Sequence, residues 1–197
     1  MFEIIHEVAE GAFGTVYQAL CLSTNEMVAI KYFEDTNDYE DEVKAVQHLQ
    51  TLQSIHLIYP MTWFSLCIIY PWIEGSCLAD YLIDVVHEWP FEKRQELAKT
   101  CDDQLTPVLR MFHDHHLVHR DISPTNIMYT PSSNHFTLID YGSLTNNPQN
   151  GCVGRQDYTL PEVWSMISSS SSFETFHASD QFALQCVLRK ILNLFII

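Results

Sequence analysis

The sequence predicts an α+β protein of two lobes. The first is an antiparallel sheet with one helix, and the second is mostly helical. Two observations carry this. Through residue 71 the apolar residues fall in short runs separated by turn signals, as in strands. From residue 97 onward they recur mainly at three- and four-residue spacing, as along helices. Strands collected first and helices second argue for two lobes with a cleft between them rather than an alternating parallel sheet.

Residues 2–33 read as strand, turn, strand, strand, with Val8, Phe13, Val16, Val28 and Ile30 separated by a glycine-bearing turn and by Ser23-Thr24-Asn25. The acidic stretch Glu34 to Glu42 opens a helix whose apolar face carries Val43, Val46 and Leu49. Short strands are predicted around Leu57–Tyr59 and Phe64–Tyr70, ending at Pro71. Trp89-Pro90 leads into a helical stretch bearing Leu97, Cys101, Leu105, Leu109 and Phe112. Pro107 is expected to kink or split it, because proline lacks the N–H and crowds the preceding turn. A strand–turn–strand unit spans roughly 117–140. Beyond it lie a loop, the serine run Ser168–Ser172 and a last helix with Leu184, Val187, Leu188, Ile191, Leu192 and Phe195 on one face.

Composition narrows the function classes. The 47% apolar content of these 197 residues suffices for a core and argues against disorder. Ten basic against 25 acidic residues give a formal charge of −15, which disfavours nucleic acid and anionic lipid as partners. A phosphate site remains open, since it needs only a few local donors and a metal ion. The six cysteines (21, 67, 77, 101, 152 and 186) form no CxxC pair and suggest neither a zinc knuckle nor a disulfide framework. The amino terminus shows no signal-peptide pattern, and the apolar tail from Phe182 to Ile197 is short and interrupted by Gln185, Arg189 and Lys190. The expectation is a cytoplasmic protein, of a cell or of an infected host cell, with no membrane span.

Four segments carry chemistry. In Ala9-Glu10-Gly11-Ala12-Phe13-Gly14-Thr15-Val16 the glycines allow backbone N–H groups to approach phosphate oxygens, although the same spacing also makes an ordinary hairpin. Lys31 closes the apolar strand Val28-Ala29-Ile30, where a cation is costly unless it meets an anion or snorkels out. His119-Arg120-Asp121-Ile122-Ser123-Pro124-Thr125-Asn126 sets a carboxylate and an amide five residues apart on a tight loop, suited to orienting a hydroxyl and ligating a hard metal. Leu138-Ile139-Asp140-Tyr141-Gly142 puts an acid at a strand end, a pattern that is also a common turn.

In this order the four segments resemble the signature set of the eukaryotic-type protein kinase superfamily. The resemblance runs from about Val8 to Leu192. It extends to Glu42 with Val43, Val46 and Leu49 (helix C), to Ile68–Gly75 (the hinge, with Tyr70 in the gatekeeper place), to Gly154 through Glu162 (the end of the activation segment) and to Ser179-Asp180-Gln181-Phe182 (the start of helix F). It implies a kinase domain over 1–197, with an N-lobe at about 1–70, a hinge at 71–74 and a C-lobe at 75–197 that ends after helix F, as in minimal viral or effector kinases.

The resemblance also implies roles. Gly11 and Gly14 would cover the triphosphate of ATP. Val8, Val16 and Ala29 would contact adenine beside Tyr70 and Trp72 of the hinge. Lys31 would hold the α- and β-phosphates and Glu42 would hold Lys31. Asp121 would orient the substrate hydroxyl, and Asn126 and Asp140 would bind Mg²⁺. Asp180 would anchor the catalytic loop, although a charge at a helix start explains it equally well on sequence. Arg120 would pair with a loop phosphate, for which Ser143 and Thr145 are the candidate acceptors.

Besides the C-lobe that ends after helix F, three departures stand out. Ser123 replaces the usual cation two residues after the catalytic Asp. Only 11 residues separate Lys31 from Glu42, so helix C is expected to lack its first turns. Tyr141 replaces the usual Phe. The resemblance therefore implies a protein kinase, with serine and threonine favoured over tyrosine. The alternatives are a kinase-fold decoy that binds a protein partner such as another kinase or a host factor, and a small-molecule phosphotransferase, against which the protein-type hinge and Leu160-Pro161-Glu162 argue.

Overall fold

The computed structural model describes residues 1–11, 14–148, 153–164 and 172–192. Phe13, Cys152, Ser168–Ser171 and Phe195, all named above, lie outside them. The chain divides into two compact units, Met1–Gln53 with Ile58–Glu74, and Ser54–Leu57 with Gly75–Ile197.

The first unit is built on a five-stranded sheet in the order β1-β2-β3-β5-β4, antiparallel throughout. Its strands are β1 (Phe2–Gly11), β2 (Gly14–Cys21), β3 (Glu26–Tyr32), β4 (Thr62–Phe64) and β5 (Cys67–Pro71). Ala19, Cys21, Val28, Ile30 and Ile69 form one apolar cluster of this unit. The turn between β2 and β3 ends on Asn25 at φ 57°, a left-handed position that asparagine tolerates.

Helix α1 (Thr36–Leu49) follows β3. Asp35 caps it, its carboxylate accepting from the Asn37 and Asp38 N–H groups, which satisfies donors that have no intrahelical acceptor. Ala45, Val46 and Leu49 are buried, while Val43 is only half-buried. The strand expected over 64–70 is instead a hairpin. Ser65 and Leu66 both take positive φ (48° and 63°), the geometry of a tight two-residue turn, so the chain reverses between β4 and β5.

The second unit holds β6 (Ser76–Cys77), α2 (Leu78–Asp84), α3 (Phe91–Asp114), β7 (Ile127–Thr130), β8 (His135–Leu138), α4 (Pro161–Trp164) and α5 (Phe173–Leu192). β6, β7 and β8 make a small antiparallel sheet. The strand expected at 57–59 does not form. Leu57 makes a single bridge to Leu138, and the segment before it is tied to β8 partly by side chains, His56 Nδ1 to the Phe136 carbonyl (2.9 Å) and His135 Nε2 to the Ile55 carbonyl (2.8 Å).

Helix α3 runs unbroken through Pro107 for 24 residues, so the expected split does not occur. Leu97, Ala98, Cys101 and Leu105 before the proline and Val108, Leu109 and Phe112 after it are all buried, and α3 packs along α5. This shared burial outweighs the roughly 3 kcal/mol that an internal proline costs. Helix α2 was not legible beforehand: its two buried residues, Leu78 and Leu82, make one turn of periodicity.

Candidate active site

Two groups of the implied site residues assemble, one within each unit. In the first unit, Val16 pairs with Lys31, Lys31 with Ile68, and Ala29 with both Gln18 and Tyr70. Because alternate residues share a face, Val16, Ala29, Lys31 and Tyr70 lie on the same side of the sheet. A register shift between Glu7 and Ala9 places Val8 in a bulge of β1, 46% exposed. Trp72 follows β5, half-buried, with its N–H donating to the Met27 carbonyl (3.3 Å).

Lys31 meets Glu42. Its Nζ stands 2.5 Å from Glu42 Oε2, with Glu42 fully buried and Lys31 7% exposed. Tyr70 donates its hydroxyl to Glu42 Oε1 (2.8 Å), a contact that sequence reasoning missed because Tyr70 reads as an apolar hinge residue. The short Lys31–Glu42 spacing is accommodated by a helix that starts at Thr36, which places Glu42 only in its second turn.

The glycines of the first segment differ. A Cβ at Gly14 would lie 2.1 Å from the Tyr32 carbonyl, and Gly14 has φ 133°, so glycine is required there by the close approach of β3. At Gly11 the nearest atom to an added Cβ is 3.9 Å away. Packing therefore accounts for Gly14 and does not account for Gly11.

In the second unit the loop from Val118 to Asn126 is held at several points. Val118 and Thr145 exchange backbone hydrogen bonds (3.0 Å each). Asp180, in the interior of α5, accepts the His119 N–H at Oδ2 (2.6 Å) and the Arg120 N–H at Oδ1 (2.8 Å). Its place eight residues into the helix removes the helix-start explanation. The neighbouring Ser179 hydroxyl accepts the Leu160 N–H (3.1 Å), so consecutive residues of α5 pin two loops.

Asn126 donates through Nδ2 to the Asp121 carbonyl (2.9 Å) and to Asp121 Oδ2 (2.7 Å), which leaves the amide oxygen as the end turned from Asp121. The Ile139 N–H donates to the Asn126 carbonyl (2.9 Å), which sets Asn126 beside the segment carrying Asp140. Asp121 Oδ1 is buried and makes no hydrogen bond among the described residues. Burial raises the Asp121 pKa above the usual carboxylate range against the pull of Asn126.

Arg120 (φ 67°) and Asp140 (φ 63°) both adopt left-handed backbone, a cost that clusters at functional loops. Gly154 packs against this loop so closely that a Cβ would lie 2.3 Å from the Arg120 carbonyl. Ser123 is fully buried and bonded to the Thr125 hydroxyl (2.9 Å). The Tyr141 hydroxyl donates to the Leu138 carbonyl (2.9 Å), which is how the phenol fits a fully buried position. Ser143 does not suit the role of phosphate acceptor: it is 4% exposed, and its carbonyl already accepts from Arg120 Nε (2.7 Å).

Burial drives two neighbouring groups in opposite directions. It pushes the His119 imidazole down to about 4 and the Asp180 carboxyl up to about 7. A depressed histidine contributes stability that is present above its unfolded value of about 6.5 and is lost as pH falls. A raised carboxyl contributes stability that is present below about 3.9 and is lost as pH rises through its folded value. From pH 4.5 to 6.5 these slopes oppose each other. His119→Asn removes one of them, so its destabilisation relative to wild type should grow with pH by on the order of 1 kcal/mol per unit. Urea unfolding at stepped pH measures this, and a pH-independent difference would refute it.

The family model for the protein kinase domain matches residues 2–195. The chain is 31% identical over 181 residues to serine/threonine-protein kinase TAO3 of Xenopus laevis, covering 83% of this chain and 19% of that protein. It is 26% identical over 165 residues to human cyclin-dependent kinase-like 5, covering 80% and 17%. It is 26% identical over 175 residues to serine/threonine-protein kinase AtPK1/AtPK6 of Arabidopsis thaliana, covering 82% and 36%. The chain thus spans well under half the length of these relatives. With the antiparallel sheet and helix of its first unit, the helical second unit and a family match over nearly its whole length, the chain belongs to the protein kinase domain family.

Proposed function

We propose that the chain is an ATP- and Mg²⁺-dependent protein kinase that transfers the γ-phosphate to a protein hydroxyl, with serine and threonine favoured. The observation that carries this reading is Asp121: one carboxylate oxygen is fixed by Asn126, while the other is buried and makes no hydrogen bond among the described residues. The unmet acceptor capacity of that oxygen supports a role for Asp121 in accepting a hydrogen bond from a substrate hydroxyl. The relatives' names support the preference for serine and threonine.

On this reading residues 1–70 form the N-lobe, 71–74 the hinge and 75–197 the C-lobe of one domain. Val8, Val16, Ala29, Tyr70 and Trp72 contact the adenine, Gly11 and Gly14 lie over the phosphates, and Lys31, steadied by Glu42, holds the α- and β-phosphates. The donor set fits the metal, since the Asn126 amide oxygen and the Asp140 carboxylate are the hard oxygen ligands Mg²⁺ prefers. When bound, Mg²⁺ supplies charge neutralisation at the phosphoryl group. The substrate is a protein, and the compartment is the cytoplasm, where ATP is abundant. Among the described residues no helix is long and apolar enough to cross a membrane.

The test is phosphate transfer from labelled ATP to a generic basic protein, followed by phosphoamino-acid analysis. Label on serine or threonine that falls at least about 100-fold in Asp121→Asn supports the proposal. Buried Ser123, which offers no cation, favours the rival reading of a decoy that acts by binding a protein partner. Undetectable transfer alongside intact ATP binding would favour that reading instead.

A further inference from the structure

Away from the kinase residues, a second cluster of ligating side chains joins two helices. His113 lies in the last turn of α3, and Glu174 and His177 lie in the first turns of α5. Their ligand atoms all fall within 4.8 Å of one another. His113 Nε2 is 3.0 and 3.2 Å from the two Glu174 oxygens, and the His113 and His177 ring centroids are 4.0 Å apart. Glu174 and His177 are three residues apart on one helix, the Glu-x-x-His spacing that turns both side chains to the same face. The His113–Glu174 contact alone would join the helices, and it does not account for His177. That ring brings a second imidazole to the cluster, and its Nε2 is buried with no hydrogen-bond partner among the described residues.

We propose that His113, Glu174 and His177 form a binding site for a divalent transition-metal ion of the zinc class. Two imidazole nitrogens and one carboxylate oxygen are a ligand set zinc accepts, with a water completing four-coordination. The nitrogen-rich set discriminates against Mg²⁺ and Ca²⁺, which take oxygen ligands. The Glu174 side chain is 72% exposed and has room to close the remaining distance to a shared ion. The consequence is structural. The ion fastens the end of α3 to the start of α5, and α5 is the helix whose Asp180 holds the loop that follows α3.

The experiment uses the purified chain stripped with chelator, with zinc chloride or cobalt chloride as the probe and no nucleotide. One equivalent of Zn²⁺ is expected to raise the Tm, because an ion bound only by the folded state stabilises it. Mg²⁺ at the same concentration should not. Co²⁺ should give visible bands of a four-coordinate site without a thiolate charge-transfer band. Glu174→Gln should keep the metal-free Tm and lose the zinc-induced rise, and His177→Asn should also lose the rise. No Tm shift with zinc, a shift that survives both substitutions, or a thiolate band pointing to the cysteines would each overturn the proposal. The readout is metal binding, so it stands or falls separately from phosphotransfer.

Discussion

Asp180→Ala is expected to cost roughly 2–5 kcal/mol of folding stability, because it leaves two buried backbone N–H groups without an acceptor at about 1–3 kcal/mol each. The groups concerned are the His119 and Arg120 N–H donors, now 2.6 and 2.8 Å from its carboxylate oxygens. Arg120 sits at φ 67°, and the residue after it is Asp121, so the same substitution should release the loop that carries the proposed catalytic carboxylate. Asp180→Asn keeps one carbonyl acceptor and should recover about half of the lost stability. Chemical denaturation reads both: the midpoint should fall for Ala and partly return for Asn, with the slope unchanged. An unchanged midpoint in Asp180→Ala would mean that the loop is held by other contacts.

The second large effect concerns the buried ion pair. Lys31→Met should destabilise the first unit by about 3–5 kcal/mol, since it leaves the Glu42 carboxylate buried with its cation gone. Glu42→Gln should also destabilise, by removing the carboxylate charge that Lys31 meets at 2.5 Å. The double variant Lys31→Met with Glu42→Gln should recover most of the loss, because the side-chain amide can still accept from the Tyr70 hydroxyl and no charge stays buried. Strict additivity of the two single losses would contradict the coupling. This has a practical consequence: loss of activity in Lys31→Met mixes altered folding with altered nucleotide contact.

Most of the fold was legible because it rests on local signals. The β1–β3 meander follows from short apolar runs and polar turns, and α1 follows from an acidic start and a three-residue apolar spacing. What sequence patterns missed was decided by tertiary context. Pro107 sits inside one helix because buried residues on both sides of it pack as a continuous face. The 64–70 stretch folds back because Ser65 and Leu66 take left-handed backbone, which neither residue type advertises.

Within the site, the carboxylates and Lys31 could be read from their motifs. Their supports could not, because the pairs are remote in sequence. The Tyr70 hydroxyl reaches Glu42 across 28 positions, and Gly154 packs beneath Arg120. Gly14 shows the reverse case, a motif glycine whose conformation is already required by the β3 backbone.

The most direct test of the central claim is Mg²⁺-dependent transfer of the ATP γ-phosphate to protein, with wild type beside Asp140→Ala at matched folded concentration. The account predicts transfer by wild type that requires Mg²⁺ and vanishes in the variant. Equal transfer by the two proteins would contradict the role of Asp140, and no transfer by folded, ATP-binding wild type would contradict the claim that this chain is an active kinase.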